Sequence, residues 1–172
     1  MATDCCTNNS AVCSQRVIVQ DTTPPVVNCP TNFTVACGTP WSFGVPTATD
    51  VCCGASVTIN LINTVTNGSC PTVVTRAWNI TDCCGNSTTC SQTVTIVDNV
   101  PPVITCAANQ VVQCGPGWTF NPPTAVDNCC TNSSGGPGGV SVVIQNLITN
   151  NIGPCQDFIT VWWKATDCCG NA

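Results

Sequence analysis

The sequence predicts an all-β protein built from two tandem β-sandwich domains. Three observations support this fold class. Short segments rich in Val, Ile and Thr alternate with Gly, Pro and Asn, and no segment keeps a helical period. The chain carries 18 cysteines in 172 residues. A long segment of the sequence occurs twice, which indicates a repeated structural unit.

The strands are predicted from composition and punctuation. The segments "NFTVAC", "SVTINLI", "TVVTRAW" and "TCSQTVTIV" are each bounded by turn residues, and together they fill a unit of about 77 residues. Several short strands in one such unit are typical of a β-sandwich. Trp78 and Trp163 occupy matching positions in the same predicted strand, and we expect both to pack in the core.

The repeat defines the predicted domains. "DTTPPVVNCPTNFTVACG" begins at Asp21 and returns at Asp98 as "DNVPPVITCAANQVVQCG". "TRAWNITDCCGN" returns as "TVWWKATDCCGN", after the glycine-rich insert "TNSSGGPGG" that lengthens the second copy. We therefore expect an N-terminal segment at 1–20, a first repeat at 21–97 and a second repeat at 98–172.

Composition excludes several function classes. With 3 Lys+Arg and a net charge of -5, the chain lacks the basic footprint that nucleic acid binding requires. No stretch is long and apolar enough for a membrane span. With no His, the Ser-His-Asp and Cys-His arrangements of nucleophilic enzymes are excluded, and we expect no catalytic residues. Cysteines that occur singly or as adjacent pairs, without His, favour disulfides over zinc and an extracellular or cell-surface location.

Four of the repeated motifs resemble a known family. "DTTPPVVNCP", "PTATD", "NITDCCGN" and "CSQTVTIVD" occur in the order found in the hyalin repeat, and the resemblance covers nearly the whole chain. It implies an immunoglobulin-like β-sandwich and an extracellular adhesive or structural module without catalysis. It supplies no active-site residues, and the extra CC pairs depart from the usual pattern.

The final strand of the first repeat has a second copy at an unexpected place. "STTCSQTVTIVD" has no counterpart after "ATDCCGNA", but "SAVCSQRVIVQD" at 10–21 matches it. We expect this N-terminal segment to act as a donor strand that completes the second repeat of a neighbouring copy, which would build a head-to-tail, pilus-like filament. The alternative is a fragment of a longer tandem array, such as an adhesin stalk or a glycan-binding module. The expected apolar donor residues are Val12, Val17, Ile18 and Val19.

Strand directions predict a disulfide map. Adjacent cysteines on a strand point to opposite faces and should seek different partners. Between neighbouring copies we expect a bond from Cys13 to Cys106. Within the first repeat we pair Cys29 with Cys90, Cys37 with Cys70, and Cys52 and Cys53 with Cys83 and Cys84. Within the second repeat we pair Cys114 with Cys155, and Cys129 and Cys130 with Cys168 and Cys169.

The aspartates allow one further expectation. No cofactor is predicted, but Asp21 and Asp98 lie at the domain junctions, where a calcium ion could stiffen the linker. No dense acidic loop of the EF-hand kind accompanies them, so calcium is a secondary interpretation. The expected partners are other copies of the same chain, with glycans as the alternative.

Overall fold

A computed structural model describes residues 5–6, 13–129, 139–154 and 156–172. Every regular element in these ranges is a β-strand, which confirms the predicted all-β class. In chain order the strands are β1 (Val26–Asn28), β2 (Phe33–Ala36), β3 (Thr47–Thr49), β4 (Thr58–Asn67), β5 (Thr72–Thr81), β6 (Ser87–Val97), β7 (Val103–Thr105), β8 (Thr124–Val126), β9 (Ser141–Gly153) and β10 (Gln156–Thr166).

A four-stranded sheet dominates the first repeat. Its strand order is β2-β6-β5-β4, with β4, β5 and β6 joined as antiparallel neighbours. The short strand β2 adds to the outer edge of β6 in parallel, with Val35 opposite Ile96 and Ala36 opposite Val97. Because β2 runs parallel to β6, both strands end at the side of the sheet where the chain leaves for the second repeat.

The core of the first repeat lies between this sheet and the β1–β3 pair. Trp78 and Ile80 on β5 and Cys90 on β6 are buried there, and Phe43 packs against them. The Phe43 ring meets Trp78 edge-on with centroids 6.5 Å apart, and the Arg76 guanidinium carbon lies 4.2 Å from the Phe43 centroid. Alternation along β5 aims these side chains at one face, as a half-buried strand requires.

The second repeat has fewer strands in the described residues. β7 pairs with β8 and β9 with β10, matching β1 with β3 and β4 with β5 in the first repeat. Residues 110–113, which correspond to β2, form no strand, and Val111 is fully exposed. The buried cluster is small, consisting of Ala125, Val140 and Ala165.

The N-terminal segment from Cys13 to Thr23 forms no regular element and pairs with no strand of the described chain. Val17, Ile18 and Val19 expose 75%, 74% and 90% of their surface. The fourth expected donor residue, Val12, lies outside the described residues. The described part of the chain contains no helix with the length and apolarity that crossing a membrane would need.

Candidate functional site at the repeat junctions and the open strand edge

A side-chain bracket ties each repeat to the residues that precede it. In the first repeat, Asp82 Oδ1 accepts hydrogen bonds from the backbone N–H groups of Cys84 (2.9 Å) and Asn86 (2.8 Å). Asn86 Nδ2 donates to Asp82 Oδ2 at 2.9 Å and to the carbonyl oxygen of Asp21 at 3.4 Å. The turn "TDCCGN" is therefore closed on itself and fastened to the chain entering the repeat.

The second repeat contains the same bracket. Asn171 Nδ2 donates to Asp167 Oδ2 at 2.8 Å and to the carbonyl oxygen of Asp98 at 3.2 Å. Asp167 Oδ1 accepts from the N–H groups of Cys169 and Asn171, both at 2.8 Å. The junction between the repeats is thus built like the junction between the N-terminal segment and the first repeat.

Both bracket aspartates are held in the ionised form. Burial raises the pKa of Asp82, but hydrogen bonds from the Asn86 side chain and from nearby backbone N–H groups outweigh burial and leave the pKa below its usual value. Burial also raises the pKa of Asp167, and the hydrogen bonds from Asn171 lower it. The hydrogen bonds again outweigh burial, so the pKa of Asp167 is below its usual value. A carboxylate that accepts several N–H donors is stabilised in its charged form.

The two junction aspartates predicted from the sequence lie in acidic clusters. Asp21 comes within 4.8 Å of Asp50 and Asp82, measured between one ligand atom of each. By the same measure Asp98 lies near Asp127 and near Asp167, and its Oδ2 atom is buried without a hydrogen-bond partner. The cysteines beside these carboxylates, Cys53, Cys129 and Cys169, are in disulfides, so only oxygen ligands remain. Such a donor set suits calcium better than zinc.

Two disulfides lie within the first repeat. Cys29 is bonded to Cys90, the pair that the sequence predicts, with Cα atoms 5.9 Å apart. Cys53 is bonded to Cys83, with Cα atoms 5.8 Å apart. The structure makes this one bond where two were expected, and the outer cysteines Cys52 and Cys84 are exposed and unbonded.

Two further disulfides join the repeats and differ from the predicted map. Cys37 is bonded to Cys129, with Cα atoms 6.0 Å apart, rather than to Cys70. Cys70 is bonded to Cys169, with Cα atoms 5.3 Å apart, so Cys129 and Cys169 do not bond each other.

The reason for this difference is the direction of β2. The strand ends beside β6, where the Cys37 N–H donates to Val97 O at 2.7 Å, directly before the chain enters the second repeat. Cys37 therefore faces the loops of the second repeat. Cys70, just before β5, lies at the same end of the sheet, because Thr72 pairs with Ile96.

The remaining predicted cysteines are accounted for as follows. Cys13, Cys106 and Cys114 are exposed and unbonded in the structure, and Cys168 is in a disulfide. Because Cys114 is unbonded, the structure does not contain the predicted Cys114–Cys155 bond. Cys130 and Cys155 lie outside the described residues, so the partner of Cys130 stays a prediction. The bond from Cys13 to Cys106 was predicted between copies and also stays a prediction.

The open edge of β10 is the second part of the site. In the first repeat β5 pairs with β4 on one side and with β6 on the other, but β10 pairs with β9 alone among the described strands. Phe158 and Trp162 on β10 are each 56% exposed. Trp163 was expected in the core but is only half-buried, whereas its counterpart Trp78 on β5 is 7% exposed. The second repeat therefore presents unpaired backbone groups and uncovered apolar side chains along one edge.

Sequence reasoning missed two kinds of functional residue. Asn86 and Asn171 end the repeated motif "TDCCGN". The available signal was that the Asn follows the Asp at the same spacing in both copies of the motif. Gln92 is 3% exposed and acts as a buried clamp: its Oε1 accepts from Gly44 N at 2.8 Å and its Nε2 donates to Thr31 O at 2.7 Å. The signal for Gln92 was "CSQ", which occurs at Cys90 and again at Cys13.

These features define a disulfide-reinforced, all-β protein of tandem repeats. The chain is 36% identical over 167 residues to Hyalin of Strongylocentrotus purpuratus, an alignment that covers 81% of this chain and 14% of that protein. The chain is thus hyalin-repeat-like, as its motifs predicted, and it spans about a seventh of the length of this relative.

Two other comparisons add little. No family model matches the chain. A solved structure of CBM51-2 in complex with GlcNAc and INT domains from Clostridium perfringens ZmpB aligns with a TM-score of 0.34 and 18% identity, covering 50% of this chain and 21% of that chain. The similarity to Hyalin and the disulfides agree with the predicted extracellular or cell-surface location.

Proposed function

We propose that the protein is a structural, non-catalytic subunit of an extracellular filament. In this filament the N-terminal segment of one copy completes the second repeat of the next copy by strand addition. The contact is head-to-tail, because the donor segment and the acceptor edge lie on different parts of the chain. A heterologous contact of this kind need not close, and it generates a linear polymer.

One observation carries this proposal. Val94 on β6 is fully buried in the first repeat, while Val17, which occupies the same position in the matching N-terminal segment, is 75% exposed. Cys90 is likewise 4% exposed, and its counterpart Cys13 is exposed and unbonded. The N-terminal segment thus has the sequence of a core strand but lies outside any core. Strand addition would bury its exposed apolar surface.

The first repeat supplies the register for the donated strand. β6 places Cys90 opposite Trp78 and Val94 opposite Val74 on β5. With the same register, Cys13 of the donor lies opposite Trp163 and Val17 opposite Ile159. Gln15 then takes the place of the Gln92 clamp, and it would bond the backbone at Asn121 and Ala108, the counterparts of Gly44 and Thr31.

The same register brings the predicted intersubunit cysteines together. Cys29 and Cys90 are bonded in the first repeat, and their counterparts in the assembled second repeat are Cys106 and the donor's Cys13. Both are exposed and unbonded in the isolated chain. A bond between them would convert the inserted strand into a covalent link between copies.

A second candidate is a segment of a longer tandem array, and the coverage of 14% of Hyalin favours it. In such an array the edge of β10 would be covered by the next residues of the same polypeptide rather than by another copy. The domains would form the same continuous string, and the protein would act as an adhesive or spacer module.

The experiment is to purify the chain of 172 residues under oxidising conditions and to measure its size by light scattering and electron microscopy. Linear polymers are expected. A synthetic peptide of residues 13–21, with Ala in place of Cys13, should shorten the polymers in proportion to its concentration, because it fills acceptor edges without offering one.

The matched control is the same peptide with Val17→Asp, which should leave polymer length unchanged. A monodisperse species of 17.8 kDa would contradict the filament and favour the array. Polymers whose length does not respond to the first peptide would show that another surface holds the copies together.

A further inference from the structure

We propose that Cys52 of one copy forms a disulfide with Cys114 of the copy that accepts its N-terminal strand. This inference rests on the proposed filament and adds a second covalent link at the same junction. It assigns a role to two cysteines that are exposed and unbonded in the isolated chain.

The bond between the two repeats within one chain is the pattern for this link. Cys37 and Cys129 are bonded across the junction, with Cα atoms 6.0 Å apart. By the repeat spacing of 77 residues, Cys114 is the counterpart of Cys37, and Cys129 is the counterpart of Cys52. A junction between copies that is built like the junction within the chain therefore places Cys114 against Cys52.

The loop that carries Cys52 already has the required shape. Asp50 Oδ1 accepts a hydrogen bond from Cys52 N at 2.7 Å, and in the bonded loop Asp127 Oδ1 accepts from Cys129 N at 2.8 Å. An aspartate that accepts from the N–H two residues later fixes the turn in the same way at both sites. The turn at Asp50 therefore holds Cys52 in the first repeat as the turn at Asp127 holds Cys129 in the second repeat.

The loop that carries Cys114 is brought into place by the donated strand. In the first repeat β2 pairs with β6, and Cys37 N donates to Val97 O at 2.7 Å. The counterpart of Val97 in the donor segment is Gln20. When the donor pairs with residues 110–113, Cys114 lies beside Gln20, one residue before the donor chain enters its own first repeat.

The chemistry balances with an external disulfide as the oxidant. The Cys52 thiolate attacks one sulfur of oxidised glutathione, forms a mixed disulfide and releases one glutathione thiol. The Cys114 thiolate then attacks the Cys52 sulfur of the mixed disulfide and releases the second glutathione. Two protein thiols are oxidised, one glutathione disulfide is reduced, and one bond between copies forms.

The test uses the full chain, mixed in equal amounts as ¹⁵N-labelled and unlabelled protein and polymerised with oxidised glutathione. Peptides produced by pepsin under non-reducing conditions are then identified by mass spectrometry. We expect a Cys52–Cys114 peptide pair in which about half of the molecules combine one labelled and one unlabelled half, as random mixing of an intermolecular bond requires. The intramolecular Cys29–Cys90 pair should show no mixed isotopes and serves as the internal standard.

The variant Cys52→Ser should lose the peptide pair and leave Cys29–Cys90 intact, while the control Cys5→Ser should keep both. Polymers that carry a Cys13–Cys106 pair but lack any Cys52–Cys114 pair would overturn this inference alone. A Cys52–Cys114 pair without mixed isotopes would also overturn it. Absence of polymers would overturn it together with the proposed function.

Discussion

At the scale of single residues, the Asp–Asn bracket is the best-defined device in the structure. Asn86 holds Asp82 through its side chain and its backbone, and it reaches back to the Asp21 carbonyl. Each of these contacts is polar. The bracket stabilises the folded chain only while the Asp82 carboxylate is charged, so its contribution depends on pH.

The first prediction concerns this pH dependence. Since the folded-state pKa of Asp82 is lowered, its stabilisation is fully present above the pKa of the unfolded chain and is lost as pH falls through the folded pKa. Asn86→Ala removes the side-chain hydrogen bond to the carboxylate, which is the largest of the effects that lower the pKa, and therefore raises the folded pKa. Acid unfolding, followed by tryptophan fluorescence, should therefore begin at a higher pH than in the unsubstituted chain.

The control for Asn86→Ala is Asn60→Ala, at an exposed position of β4. It should leave the acid-unfolding curve unchanged. Coincident curves for the two variants would show that the bracket contributes nothing to stability in acid.

A second prediction at this scale concerns the reactivity of Cys52. The negative charge of Asp21 raises the Cys52 pKa, with smaller contributions from burial and from Asp50 and Asp82. Asp21→Asn should lower that pKa and speed alkylation of Cys52 at pH 8. The expected gain is about threefold per unit of pKa, because a more acidic thiol gives more thiolate but a weaker nucleophile.

Peptide mass spectrometry of the unpolymerised chain after timed exposure to iodoacetamide gives the rate for Cys52 alone. Asp157→Asn, a charge change on the exposed strand β10, is the matched control and should not alter the rate. An Asp21→Asn rate equal to the control rate would mean that Asp21 does not set the reactivity of this thiol.

At the scale of strands and loops, corresponding segments of the two repeats adopt different structures beside different neighbours. Phe33–Ala36 forms β2 because β6 offers an edge, whereas residues 110–113 form no strand where the matching edge is absent. A short edge strand gains most of its stability from pairing and burial rather than from intrinsic propensity. The donated strand is therefore expected to order residues 110–113 as well as to cover β10.

The third prediction tests the donor strand in the full chain. Val17→Asp places a carboxylate at the position whose counterpart in the first repeat, Val94, is fully buried. An unpaired charge in an apolar groove costs several kcal/mol, and each 1.4 kcal/mol is about a tenfold change in an equilibrium constant. Polymer yield, measured by sedimentation, should fall by more than about tenfold relative to the unsubstituted chain.

Ser14→Asp adds the same charge three residues earlier. Its counterpart, Ser91, is exposed on β6, so this control should polymerise normally. Equal loss in both variants would point to charge repulsion rather than to a buried donor residue. Normal polymers from Val17→Asp would contradict the proposed register.

Four of the six strands of the first repeat were predicted from the sequence, but the short strands β1 and β3 and the disulfides between the repeats were not. Alternation and turn residues place the predicted "TVVTRAW" and "TCSQTVTIV" segments within β5 and β6. The pairing of Cys37 with Cys129 depends on the parallel direction of β2, which no local pattern encodes. The predicted disulfide map considered only cysteines at strand ends within one repeat. It did not consider that β2 ends at the side of the sheet from which the chain enters the second repeat.

At the scale of the whole molecule, the cysteines divide into bonds that close a repeat and bonds that connect successive repeats. Cys29–Cys90 and Cys53–Cys83 close the first repeat, while Cys37–Cys129 and Cys70–Cys169 connect it to the second. The exposed thiols of Cys52 and Cys84 occupy the positions of Cys129 and Cys169 in the preceding junction. Within the proposed filament, every junction would then carry several parallel covalent links.

The last prediction follows from this redundancy. Cys13→Ser and Cys52→Ser each remove one proposed link between copies, and each single variant should still give polymers that survive SDS without reductant.

The triple variant Cys13→Ser/Cys52→Ser/Cys84→Ser removes the thiols that the first repeat and the N-terminal segment offer to the preceding copy. It retains the disulfides within the chain, which stabilise the fold by roughly 2–4 kcal/mol each. The triple variant should therefore fold and polymerise through the strand alone, and SDS should release it as a monomer. Non-reducing gel electrophoresis of the three variants and the unsubstituted chain, with the reduced samples beside them, provides the measurement. A ladder from the triple variant would show that other cysteines join the copies, and release of monomer from Cys13→Ser alone would show a single covalent link per junction.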